Sequence, residues 1–197
     1  RFIAGIDSQS YAPYVCCPVL LLSAVNDKKH DYDRVYDTFQ QRNPAVEKAC
    51  LYSSHGNGLI GMHSLADIDL FLDKYLKARS VFLCEPIGLT VEEDEEGNLV
   101  ARATFDEEGE LRECGIFYTE RITGSHARDW TRVLGSAAQV NGNVGTFPLS
   151  LYEKSSRALV YAFANYSNNF SVTSKIQEVV IEHPYKNACL KSRVIYE

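Results

Sequence analysis

The stretch Pro18-Val-Leu-Leu-Leu-Ser-Ala-Val-Asn-Asp27 decides how the rest of the chain is read. Val19 to Val25 is a short, nearly continuous apolar run, opened by a proline and stopped by Asn-Asp. A strand with one wet face alternates apolar and polar residues. A continuous run fits a strand covered on both faces, as in a parallel sheet flanked by helices. The residues that follow agree with such a sheet. Tyr32, Val35, Tyr36 and Phe39 recur at helical spacing, with Asp31 placed to cap them. Glu47 to Ser53 reads as a second short strand, ending at Ser54-His55-Gly56. A second helix is expected with Ile68, Phe71, Leu72, Tyr75 and Leu76 on one face, and Ser64 and Asp67 at capping-box-like spacing before it. The two strands are expected to pair in parallel, joined by a right-handed crossover.

Beyond a link at 79–85, with a strand expected at Val81 to Cys84, the pattern changes. Ile87 to Glu92 and Leu99 to Phe105 alternate on either side of an acidic turn, which is a hairpin signature. A second acidic turn, Asp106 to Glu110, leads into Leu111 to Tyr118. Trp130 to Leu134, Gly145 to Leu149, Leu159 to Asn165 and Lys175 to Glu182 are further strand candidates, separated by Gly-, Asn- and Ser-rich turns. About seven short strands without helical period argue for an antiparallel β-sandwich. The fold class is therefore α/β plus all-β. Residues 1–78 form a strand–helix–strand–helix unit, and residues 79–197 an immunoglobulin-like sandwich. The acidic runs read as solvated hairpin tips, with a calcium site the weaker alternative.

Composition narrows the partners. The chain has 197 residues, 45% of them hydrophobic, and its 20 Lys+Arg against 26 Asp+Glu leave a net charge of −6. With no basic block, nucleic acid and anionic membranes are not expected partners. No apolar run approaches the ~20 residues of a membrane span, and no signal peptide is visible, so a cytoplasmic location is expected. The chain begins at Arg1 without Met, so its natural N-terminus is expected to be missing. Cys16, Cys17, Cys50, Cys84, Cys114 and Cys189 form no CxxC pair. Free thiols are expected, with Cys17, Cys50 and Cys84 acting as small hydrophobes in or beside strands. No metal or cofactor is implied. Asn165-Tyr-Ser and Asn169-Phe-Ser match the glycosylation pattern, which recurs by chance.

The order Pro18-Val-Leu-Leu-Leu-Ser-Ala-Val-Asn-Asp27, His55-Gly56, closing helix resembles the last two strands of an α/β-hydrolase. The β-rich remainder resembles the C-terminal domain of bacterial dienelactone-hydrolase- or acetylxylan-esterase-like proteins. Tyr118 followed by Arg128-Asp129-Trp130 is similar to the PhoPQ-activated pathogenicity-related family. The resemblance implies that Asp27 is the acid orienting an imidazole and His55 the general base, acting on a small-molecule ester. No Gly-x-Ser-x-Gly occurs, so the nucleophile would lie outside this chain, which alone would be inactive.

Blander readings stand beside these. Asp27 could be a loop residue, with Asp31 or Asp33 competing for its role, and His55 could be a turn histidine. His30 and His63 read as loop and surface residues. His126, Arg128 and Asp129 fall in a long loop, where a structural Arg–Asp pair is expected. Tyr118, Trp130, Tyr161 and Tyr166 could line a sugar-binding face, or fill the sandwich core or an interface. Two functions follow: the C-terminal part of a serine hydrolase, or a non-catalytic β-sandwich module binding a glycan, a partner protein or a neighbouring subunit. The unpaired edge of a two-stranded parallel sheet makes a homo-oligomer an expectation too.

Overall fold

The computed structural model describes residues 8–25, 38, 41, 44–45, 50–54, 62–120, 128–136, 140–151 and 156–181. Short helical turns, Ser8–Tyr11 and Ala12–Tyr14, lead into strand β1 (Leu20–Ala24). Strand β2 (Cys50–Ser54) and helix α1 (Met62–Tyr75) follow, then nine strands: β3 (Gly88–Glu93), β4 (Leu99–Thr104), β5 (Leu111–Thr119), β6 (Thr131–Leu134), β7 (Val140–Asn141), β8 (Val144–Pro148), β9 (Arg157–Tyr166), β10 (Ser171–Thr173) and β11 (Gln177–Val180). Among the described residues no helix is long and apolar enough to cross a membrane.

Sheet I has the order β3-β4-β8-β7 and sheet II the order β10-β9-β5-β6, with β11 pairing the same strand, β9, further along. Every pair in both sheets is antiparallel. Lettered A, B, C, C′, D, E, F, G from β3 onward, with β10 and β11 sharing G, this is A-B-E-D facing G-F-C-C′. That is the immunoglobulin Greek key with one added strand.

Turn chemistry sets the hairpins. At the β3–β4 tip, Asp94 Oδ1 accepts the backbone N–H groups of Glu96 and Asn98, at 3.0 and 2.8 Å, and Gly97 supplies the positive φ of 81°. These bonds, Asn98 first, hold the Asp94 carboxyl below its ordinary range. Asp106 is used the same way, accepting from the Glu108 and Glu85 amides. Both acidic runs thus act as turn staples. Among the described residues no group of three or more His, Cys, Asp or Glu could hold a metal ion.

The core between the sheets follows the period of two. Leu89, Leu99, Ala101, Ala103, Phe147 and Leu149 of sheet I meet Cys114, Ile116, Tyr118, Val160, Ala162, Ala164 and Tyr166 of sheet II. At the open side, the Gln177 side chain donates to the Leu89 carbonyl and ties β11 to β3. The link 79–87 contains no strand at Val81 to Cys84; it packs instead, with Leu83 and Cys84 buried and Asn168 Nδ2 donating to the Phe82 carbonyl at 2.9 Å.

The truncated α/β-hydrolase unit expected for residues 1–78 is not what the structure contains. The described fold is predominantly β, with a single helix longer than about one turn. β1 and β2 do pair in parallel, Leu20 with Cys50 through Ala24 with Ser54. Among the described residues they form a two-stranded sheet of their own, with α1 packed against both strands. The continuous apolar run of β1 has a different cause. Val19, Leu21 and Val25 pack on sheet II, while Leu20 packs with α1 residues against the inter-sheet core. Sheet II covers one face of β1, where a flanking helix was expected, and α1 lies with the other. The likeness to dienelactone hydrolases, acetylxylan esterases and the PhoPQ-activated family, and the hydrolase assignment with it, rested on that expectation and is withdrawn. Tyr118, which carried part of it, is a core residue, its hydroxyl donating to the Ser150 carbonyl at 3.1 Å.

Helix α1 also departs from its expected register. Phe71 and Tyr75 face inward, their ring centroids 4.7 Å apart, and Leu70 joins them. Leu72 and Leu76, expected on the same face, are exposed. Asp67 is no capping residue. It lies inside the helix and is fully buried.

Candidate interaction surface

Strand β9 is buried along nearly its whole length, so both faces of sheet II are covered there. The inner face belongs to the core. The outer face presents Phe117 from β5 and Leu159, Tyr161 and Phe163 from β9. Register builds this patch: Phe117 lies directly opposite Tyr161 on one side and Arg132 on the other. The Phe117 and Tyr161 rings stack at 5.1 Å, Phe163 tilts against Phe117 at 5.2 Å, and Trp130 meets Tyr161 edge-on at 4.9 Å. Such arrangements contribute beyond area burial alone.

A polar rim borders the aromatic centre. The Arg132 guanidinium lies 4.9 Å from the Phe163 ring centroid and 5.8 Å from that of Phe117, while its Nη2 contacts Glu113 Oε2 at 2.8 Å. Asn165 Nδ2 donates to the same Glu113 oxygen at 2.9 Å. Close approach of β6 depends on Gly115. A Cβ there would overlap the Val133 carbonyl oxygen and fall 2.9 Å from a Phe163 ring carbon.

Val19, Leu21 and Val25 pack on this face, with Ile176 beside them, leaving Val25 1% exposed. An apolar centre with a polar, half-exposed rim is the anatomy of a protein–protein interface, here closed within one chain.

A second contact joins the same regions. Helix α1 packs against β10, and β2 runs beside β10 as well. Ser171 and Asn165 form a non-hydrogen-bonded pair, since Tyr166 N–H bonds the Phe170 carbonyl next to them. The Ser171 amide therefore points away from β9. Asp67 Oδ1 accepts it at 2.8 Å, across 104 positions of sequence. The other carboxylate oxygen, Oδ2, is buried and meets no hydrogen-bond donor among the described residues. Burial pushes the Asp67 carboxyl up to about 7, only partly offset by the Ser171 bond.

The residues singled out from the sequence fall as follows. Asp27 and His55 lie outside the described residues, as do His30, Asp31, Asp33 and His126. Asp129 is exposed and Arg128 half-buried. Tyr118, Tyr161 and Tyr166 are each 6% exposed or less and cannot form a sugar platform; of that set only Trp130 is partly open. Cys84 and Cys114 are buried, the Cys114 thiol raised to about 11 by burial and by the Glu113 charge. Cys17, expected to act as a small hydrophobe in or beside a strand, is exposed. A groove of about 420 Å³, lined by Phe105, Asp106, Glu107, Gly109, Leu111, Gly142 and Asn143, opens at one end of the sandwich. Both Asp106 oxygens there are already taken by backbone amides.

Sequence reasoning missed the Asp67–Ser171 contact and the outer-face patch. For the patch a signal existed: Leu159 to Ala164 is as continuously apolar as the run at Val19 to Val25.

Fold and surface together define an antiparallel β-sandwich that carries a parallel strand pair and a helix docked on one sheet. No protein-family model matches the chain, and none of the curated proteins does. Among solved structures, 49% of the chain is similar to pectate lyase Pel3 from Pectobacterium carotovorum, with 11% sequence identity and a TM-score of 0.33. The match spans 27% of that enzyme and carries no argument about this chain.

Proposed function

We propose that this chain is a non-catalytic β-sandwich interaction module whose outer face on sheet II grips an apolar protein segment. The segment around β1 occupies that face in cis. The observation that carries this reading is the closure of Phe117, Leu159, Tyr161 and Phe163 by Val19, Leu21 and Val25. The patch supplies what a stable protein contact needs: rigid aromatic anchors at the centre, and ionic and amide groups at the rim.

Trp130 is the only tryptophan in the chain, and its contact with Tyr161 makes its fluorescence a reporter of this face. Val25→Asp places a charge where the native side chain is 1% exposed. The expected result is a red-shifted Trp130 emission with the far-ultraviolet signature of the sandwich retained. A synthetic peptide spanning residues 17–26 should then bind the variant in trans and restore the emission. Unchanged emission, or no rescue by the peptide, rules the reading out.

A further inference from the structure

We propose that Asp67 is a proton-operated latch: neutral, it holds helix α1 on the edge of β10, and ionised, it loosens the helix and the parallel pair from the sandwich. The inference rests on the docked arrangement described above, but on a different element from the Val25 contact. Its geometric basis is one carboxyl group with unequal oxygens. Oδ1 is bonded to the Ser171 amide at 2.8 Å, and Oδ2 is buried with no hydrogen-bond donor among the described residues. A protonated carboxyl loses less in that setting than a charged one, because the amide bond needs only one oxygen and what is left unpaired is a neutral hydroxyl. An ionised carboxylate carries a charge that one amide cannot compensate.

Among the described residues packed around α1, Asp67 is the main titrating element. Of the strands packed against α1, β1 (Leu20–Ala24) and β10 (Ser171–Thr173) contain no ionisable side chain, and β2 (Cys50–Ser54) contains only Cys50 and Tyr52, both ordinarily neutral below pH 8. Within the helix, Asp69 is exposed, Lys74 lies near the Tyr75 ring, and Asp73 is engaged by Lys77 and Arg79. His63, four residues before Asp67, is the one histidine among the described residues and is tested separately below.

The direction follows from linkage. The docked carboxyl titrates at about 7 against 3.8 for the free group. The docked state therefore retains a proton that the undocked state has lost. Its advantage is complete below pH 3.8, falls by up to tenfold per pH unit, and is gone above about pH 7.

The test uses the full chain and the Ser171 amide, which reports the latch directly. Its hydrogen-exchange protection, corrected for intrinsic exchange, should fall by up to tenfold per unit between pH 5 and 7. In Asp67→Asn the neutral amide oxygen still accepts from Ser171, so protection at pH 8 should rise and the pH profile flatten. His63→Gln should keep the wild-type profile. Overlapping profiles for wild type and Asp67→Asn overturn the latch, as does a profile flattened by His63→Gln. The Asp67 carboxyl carbon shift in the wild-type protein is a second reading that needs no variant: a midpoint near 7 is expected, and one near 4 overturns the proposal. Failure of the outer-face reading shows in Trp130 emission and leaves the Ser171 profile as predicted, so the two outcomes are separable.

Discussion

The two faces of β9 make an instructive contrast. The inner face, Val160, Ala162, Ala164 and Tyr166, is mostly small, because Phe147 and other bulky residues of sheet I fill the space opposite. The outer face, Leu159, Tyr161 and Phe163, is mostly aromatic and is covered by a thin layer from the β1 segment. Inner packing is a full sheet-on-sheet core. Outer packing is a local dock, closed by a few side chains at each end. Both bury their residues to a similar degree, yet the first should be the more costly to disturb, since more of the chain depends on it.

Phe147→Ala strikes the inner face, where Phe147 is completely buried. A loss of about 3–5 kcal/mol is expected in urea denaturation. Sheet markers and Trp130 emission should change in one transition; if only the N-terminal region were lost, the two faces would be ranked the wrong way round. Gly115→Ala strikes the seam between β5 and β6, where the new methyl meets the Val133 carbonyl and the Phe163 ring. About 1–3 kcal/mol is expected, with early loss of amide protection in Thr131–Leu134 and a shift in Trp130 emission. A silent Trp130 would mean that the patch does not depend on the position of β6. Arg157→Ala breaks an exposed ion pair to Glu178 at 3.0 Å, on the β9–β11 margin beyond either packed face. Less than about 1 kcal/mol is expected, weakening further with salt. A larger effect would show that the margin, rather than the two faces, carries part of the dock.

Much of the sandwich was legible in sequence because its signals are local. The segments Ile87 to Glu92 and Leu99 to Phe105 alternate on either side of a turn rich in Asp and Glu, and a carboxylate that staples its own turn acts within a few residues. Strands β7 and β10 were missed. At two and three residues they are too short for any period, and pairing with β8 and β9 is what defines them.

By itself the sequence determined where the hairpins turn and that β1 is covered on both faces; the like signal in Leu159 to Ala164 of β9 became readable only beside the fold. What covers them was decided only by the tertiary structure. A continuous apolar run records that water is excluded from both faces, and helices or a second sheet exclude it equally well. In this chain β1 and the outer face of β9 cover each other, which the sequence of either strand cannot express. Asp67 makes the same point for a polar residue. Near the start of a helix it reads as a cap, since capping is the local use of an aspartate. Its actual role depends on Ser171, whose amide is turned outward by the pairing of β10 with β9, and only the folded chain brings the two together.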